Sequence, residues 1–242
     1  MNMKEIENGQ IAANWAQLTN DKASFIVPAN KYDVRYDERL LIPIVVHHKV
    51  GFVNRWFGYV VAPKYDIYYG DIFSPEDFVK VGVRYSYGFQ QDNGEIQTYD
   101  RYKWGLIDVK GEVILEPKYI SVKVSDTKKL LIVHDRELGY SVIDRQGNTI
   151  VPYGTYDLID AFTNGYARVK IGRRTNGIIN SGNKWGIINE IGEVVLPLEY
   201  DDIWSFEHKP ELRSTHILKI GEPGKRFWFS SGNTDNPIPD FI

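Results

Sequence analysis

Two stretches of this chain repeat each other. Residues 103–119 read KWGLIDVKGEVILEPKY and residues 184–200 read KWGIINEIGEVVLPLEY, with the proline one residue earlier in the second. A recurrence of this kind constrains the fold more than any compositional average. Each copy is one small supersecondary unit that cannot bury its apolar surface alone and must pack on its neighbours. A third copy, residues 139–152 (GYSVIDRQGNTIVP), carries Tyr140 and Ser141 where Trp-Gly stood. A fourth begins at Val50 (VGFVNRWFGYVVAPKYD), and a fainter fifth spans Asn14 to Asp33. The units close near Pro28, Pro63, Pro117, Pro152 and Pro197, at spacings of 35, 54, 35 and 45 residues. A sixth, degenerate strand pair is expected in residues 225–237, around Gly232.

Every recurring position has a backbone reason. Leu106-Ile107 and Ile187-Ile188 read as a short strand after Trp104 and Trp185. Gly105 and Gly186, directly after the Trp, let a neighbouring backbone come close. Asp108-x-x-Gly111, Asp144-x-x-Gly147 and Asn189-x-x-Gly192 follow, and Asp or Asn first with Gly fourth is a hairpin-turn signature. A second strand comes next, and Pro117 or Pro197 is expected to end it, because proline donates nothing to a ladder. The Tyr that follows (Tyr32, Tyr65, Tyr119, Tyr156, Tyr200) is expected to pack over the hairpin. A third strand completes the unit, as in Phe78 to Val83 or Ala167 to Ile171.

This pattern resembles the WG repeat family: Lys-Trp-Gly, an apolar pair, Asp, a Gly turn, another apolar pair, then Pro and Tyr. The resemblance implies an all-β array of five to six hairpin or three-strand units, open or curled, within one domain over residues 1–242. A closed ring is disfavoured by uneven, three-stranded units. It implies no chemistry, since the motif residues shape backbone. A short N-terminal helix is the alternative reading of Ile11, Trp15 and Leu18, spaced i, i+4, i+7. It would cap the array, and it competes with reading Trp15 as a degenerate repeat Trp.

No catalytic or ligand-binding constellation emerges from the sequence. Cysteine is absent, which removes disulfides, thiolate chemistry and Cys-ligated zinc. His47, His48, His134, His208 and His216 show no metal-ligand spacing. His47 and His48 are expected on opposite faces of a strand, and His134-Asp135 at a hairpin end. The recurring Asp108, Asp144 and Asn189, and the series Asp33, Asp66, Asp157 and Asp201, read as turn and packing residues rather than carboxylates for catalysis or metal. Gly70, Gly82, Gly88 and Gly94 form no phosphate cradle. Formal charge is −3 with mixed signs, so there is no basic stripe for nucleic acid. No run reaches membrane-spanning length, and the N-terminus has no leader-like apolar segment. The chain is therefore expected to be cytoplasmic, without cofactor or metal, and not an enzyme.

The most distinctive departure from the repeat is the insertion after Pro63. Aromatics make up 14% of the chain, and residues 65–102 are dense in them. Alternation in Val81, Val83, Tyr85, Tyr87 and Phe89 predicts a long strand. Asp92-Asn93-Gly94 predicts its turn, with Ile96, Thr98, Tyr99 and Tyr102 returning. Arg173 to Asn183 is a smaller version. A Tyr-rich hairpin either folds back on its neighbours or offers a binding surface. The first functional expectation is a protein-interaction scaffold; an immunity or effector-type partner in bacterial conflict is one version the resemblance allows. The alternative is carbohydrate or cell-surface binding through exposed aromatics. A hydrolase would need two convergent carboxylates, and Glu76-Asp77 is the one adjacent acidic pair in the insertion. The candidate partner-binding residues are Tyr85, Tyr87, Phe89, Tyr99 and Tyr102.

Overall fold

A computed structural model describes residues 3–25, 40–70, 77–172, 174–175, 178–179, 183–203, 214–218, 226–230 and 240–241. The readings placed on Pro28, Tyr32, Asp33, Glu76, His208 and Gly232 lie outside the described residues. The chain divides into two compact units, Met1–Ile120 and Ser121–Ile242.

Unit 1 opens with helix α1 (Met3–Asn20) and continues into two antiparallel meanders. The first is β1 (Ser24–Phe25), β2 (Ile42–Val46), β3 (Lys49–Val53) and β4 (Tyr59–Tyr65). The second is β5 (Ile67–Tyr69), β6 (Val79–Gln90), β7 (Ile96–Ile107) and β8 (Val113–Tyr119). Unit 2 begins with β9 (Ser121–Val124), β10 (Leu130–Asp135), β11 (Gly139–Asp144) and β12 (Thr149–Val151). Next come β13 (Leu158–Ile159) and β14 (Tyr166–Ile171), a small hairpin of β15 (Arg174–Thr175) and β16 (Ile178–Ile179), then β17 (Lys184–Asn189) and β18 (Val194–Tyr200). The last sheet is β19 (Asp202–Ile203), β20 (Ser214–Leu218), β21 (Arg226–Ser230) and β22 (Asp240–Phe241). The expected all-β repeat fold is present, and none of these sheets closes on itself.

The expected three strands per unit are corrected to four. The missed strand follows Tyr65, Tyr119, Tyr156 and Tyr200 and is only two to four residues long. A run that short cannot display an alternation of period two.

Proline does not end the second strand where the motif glycine is present. β4 runs through Pro63 to Tyr65, β8 through Pro117 to Tyr119, and β18 through Pro197 to Tyr200. The register explains how. Trp104 pairs with Tyr119 and Leu106 with Leu115, so one residue of β7 faces three of β8 in a bulge. Gly105 sits inside it: a Cβ there would lie 2.3 Å from the Leu115 carbonyl oxygen and 2.7 Å from Pro117 N. Proline is tolerated because a bulge needs no ladder donor at that point. Ser141 replaces this glycine in the third copy. Its buried hydroxyl donates to the Val151 carbonyl at 2.7 Å, and β12 stops at Val151, just before Pro152.

The turns repeat with similar regularity. Asp108 Oδ1 accepts the amides of Lys110 and Glu112, both at 2.9 Å, and Gly111 takes φ +77°. Asp144 and Asn189 cap their turns the same way. In the first sheet Asn54 does so too, but Phe57 occupies the left-handed position at φ +61°. The packing supplies the reason. Gly111 lies against β4 so tightly that a Cβ would be 2.5 Å from Val61 Cγ2. The first sheet instead meets α1, and the Phe57 ring fills that space beside Trp15 at 5.0 Å. His47 and His48 are the two central residues of the β2–β3 turn, at φ +48° and +64°, not strand residues on opposite faces. This matches the primed turns that fit a twisted hairpin.

Both faces of the inner sheets are covered, which is why the strands carry apolar pairs rather than clean alternation. In unit 1, Phe52, Val61 and Tyr65 pack against Val79, Val81 and Ile107 of the second sheet. On its other face the first sheet gives Ile42, Ile44, Val46 and Val53 to Leu18 of α1. In unit 2, Leu130, Ile132 and Val142 meet Ile159, Phe162, Ala167, Val169 and Ile188, while Ile187 faces Ile203. Trp15 thus belongs to a capping helix and is 49% exposed, which corrects its reading as a repeat Trp. No helix among the described residues is long and apolar enough to cross a membrane.

Candidate binding surface

The residues that recur are occupied by the fold itself. Tyr65, Tyr119, Tyr156 and Tyr200 are all buried, as their expected packing requires. Burial pushes the hydroxyl pKa of Tyr65, Tyr156 and Tyr200 upward. The Asp after Tyr ties strands together. Asp66 receives Lys49 Nζ at 2.6 Å and Arg84 N at 2.8 Å, and Asp201 receives Lys184 Nζ at 2.8 Å. Asp157 receives Gly172 N at 2.7 Å. Burial raises the Asp66 carboxyl, but the Arg84 amide and the Lys49 ammonium outweigh it and hold the pKa below the usual range. His134 stands at the hairpin end as expected, next to last in β10, and stacks on Tyr140 with ring centres 4.0 Å apart.

Trp104 and Trp185 are half-buried, not core-filling. Lys80 Nζ sits 4.4 Å above the Trp104 ring, and the Arg168 guanidinium 4.9 Å from Trp185. Arg168 is held by Asp160 and by the Ile203 carbonyl. Burial lowers the Lys80 pKa. These contacts clamp indole rings on the sheet surface, at about 0.5–1 kcal/mol for an exposed cation–π pair.

The β6–β7 hairpin is the surface the repeat does not account for. Its strands pair over twelve residues each, from Val79↔Ile107 to Gln90↔Ile96. The Asp92-Asn93-Gly94 turn is present, with Gly94 at φ +85° and Asn93 Oδ1 accepting Glu95 N. The roots are buried, whereas residues 88–98 are all exposed. Phe89 is 61% and Ile96 70% exposed. The distal ribbon therefore stands clear rather than folding back.

The register sorts the candidate residues by face. Cross-strand partners share a face, and Tyr85 pairs with Arg101, Tyr87 with Tyr99, Phe89 with Gln97 and Val83 with Lys103. Tyr85, Tyr87, Phe89 and Tyr99 thus come together on one face. Tyr87 stacks on Tyr99 at 5.7 Å and lies 6.3 Å from Tyr85. Tyr102 does not join them: it pairs with Arg84 on the opposite face, beside Trp104 at 5.8 Å. The reason is parity, since Tyr102 lies an odd number of residues from Tyr99.

Two cations on the aromatic face escaped the sequence reading. Arg101 lies over Tyr99 at 5.9 Å and Lys103 Nζ over Tyr85 at 5.6 Å. Their spacings of two and four from Tyr99 are the signal that would have found them. On the opposite face Arg84 stands 3.8 Å from Asp100. Among the described residues no cluster of three His, Cys, Asp or Glu could hold a metal ion. The surface can offer flat rings, cations and strand edges.

Comparison with known proteins agrees with the repeat geometry. The family described as WG containing repeat matches residues 104–123, 140–173 and 185–209. No curated protein matches the chain. The match falls on both units with a complete Trp-Gly and on the Tyr140 unit between them, so these three segments are similar to WG containing repeats.

Proposed function

We propose that this protein is a non-catalytic interaction module that binds another protein through the aromatic face of the β6–β7 ribbon. One observation carries the reading. A two-stranded ribbon with both faces in solvent keeps Tyr85, Tyr87, Phe89 and Tyr99 on a single side, flanked by Arg101 and Lys103. Isolated ribbons gain little from exposed aromatics in the folded state, whereas Tyr and Arg are the residue types that dominate interface energetics. The two χ angles of Tyr limit the entropy lost when such a surface is covered. An immunity or effector-associated role is one setting for such a module, and the same proposal sets it in the cytoplasm.

The test replaces Tyr85, Tyr87 and Phe89 with Ser and compares the variant with wild type in quantitative affinity enrichment from the native host. The variant should keep the wild-type melting temperature and lose the enriched partner. Unchanged enrichment refutes the proposal, and so does loss of the fold. Glycan-array binding abolished by the same substitutions, without a protein partner, would assign the face to carbohydrate instead.

A further inference from the structure

The outer edge of β7 carries a second, independent feature. Asp66 N donates to the Gly82 carbonyl, and Arg84 N donates to Asp66 Oδ2, so even-numbered backbone groups of β6 point away from β7. Antiparallel alternation then turns the even-numbered groups of β7 away from β6. β8 pairs with β7 only from Trp104 onward. The amides and carbonyls of Ile96, Thr98, Asp100 and Tyr102 therefore form an edge with no adjacent strand among the described residues. Such an edge is a ready template for another strand. The matching edge of β6 is shorter, because Asp66 already caps Arg84.

The sequence along this edge is self-complementary. Its open run is centred on Tyr99. When two copies run antiparallel about a two-fold axis there, Ile96 faces Tyr102 of the second copy and Thr98 faces Asp100. Gln97 faces Arg101, Tyr99 faces Tyr99, and Glu95 faces Lys103. The even-numbered pairs are the ones whose backbone groups point outward, so they exchange the ladder bonds, while the Tyr99 pair is of the closer, non-hydrogen-bonded kind. No like charges meet. A register centred on Asp100 or Arg101 would instead set two carboxylates or two guanidiniums opposite each other. The Arg101 Nη1 bond to the Asp100 carbonyl (3.1 Å) must open, and the Thr98 backbone amide of the second copy replaces it.

We propose that this protein self-associates as a two-fold dimer through β7, joining two ribbons into one four-stranded sheet with Tyr99 on the axis. An isologous contact of this kind closes at two copies. It also places two aromatic faces side by side, but it does not depend on what those faces bind.

The experiment is analytical ultracentrifugation of the full chain across a micromolar to millimolar series, with melting temperatures as the fold control. Wild type should shift from monomer to dimer. Thr98→Pro removes an outward amide without touching the β6–β7 ladder and should abolish dimers. Lys103→Glu reverses two symmetry-related pairs and should weaken association at least about fivefold. Glu95→Lys combined with Lys103→Glu should restore it. Wild type monomeric throughout the series, or dimers indifferent to Thr98→Pro, overturns the proposal. Should Thr98→Pro misfold, the charge swap decides: without rescue in the double variant, the register is wrong.

Discussion

Replacing Gly105 with Ala tests the central mechanical idea, that the glycine after Trp exists to make room for a bulge. The new Cβ would stand 2.3 Å from the Leu115 carbonyl oxygen, 2.7 Å from Pro117 N and 2.9 Å from the Glu116 carbonyl carbon. All three neighbours are backbone, so relief demands a displacement of about 1 Å in a strand whose flanking Leu106, Leu115 and Tyr119 are buried. Overpacking of this kind costs about 3 kcal/mol. For a chain of this size that lowers the melting temperature by about 6–12 °C. Gly88→Ala is the matched control. Its Cβ would also meet an atom closely, at 2.7 Å, but that atom is the Ile96 Cγ2 methyl at the end of an exposed side chain. Rotation of Ile96 should hold the cost within about 0.5 kcal/mol. Both variants are followed by circular dichroism during heating and in urea. If Gly105→Ala melts with Gly88→Ala, the steric account of the Trp-Gly motif is wrong.

Two further predictions concern the cap. Leu18 is 2% exposed and packs on Ile42, Ile44 and Val53; Leu18→Ala should cost about 3 kcal/mol in denaturant unfolding, and a loss below about 1 kcal/mol would mean α1 is not docked. Tyr59 donates its hydroxyl proton to Asp21 Oδ2 at 2.8 Å, and burial first, then Asp21, pushes its pKa up to about 12. The folded state holds this proton more tightly than the unfolded chain, whose Tyr titrates near pH 10. The contribution is therefore full below about pH 10 and declines as pH rises towards 12. Tyr59→Phe should cost about 1 kcal/mol at neutral pH, and its deficit against wild type should shrink above about pH 10; a deficit that grows there would refute the assignment.

The sequence by itself determined whatever depends on a few neighbouring residues. Asp108-x-x-Gly111 and Asn189-x-x-Gly192 specify their turns because the Asx oxygen and the left-handed glycine act within five residues. The long hairpin was equally legible, since the alternation through Tyr85, Tyr87 and Phe89 and the Asp-Asn-Gly turn are local signals. Tertiary structure decided the rest. The short strand after each Tyr exists only because the next strand pairs with it, and Pro117 continues a strand only because Gly105 leaves space across the ladder. Phe57 can hold a left-handed turn because α1, not another strand, lies against it. Which aromatics share a face depended on register, which separated Tyr102 from Tyr99 and brought Arg101 and Lys103 in with the tyrosines. Turn chemistry is written in single residues, whereas register and stacking arise from groups distant along the chain, so no one segment encodes them.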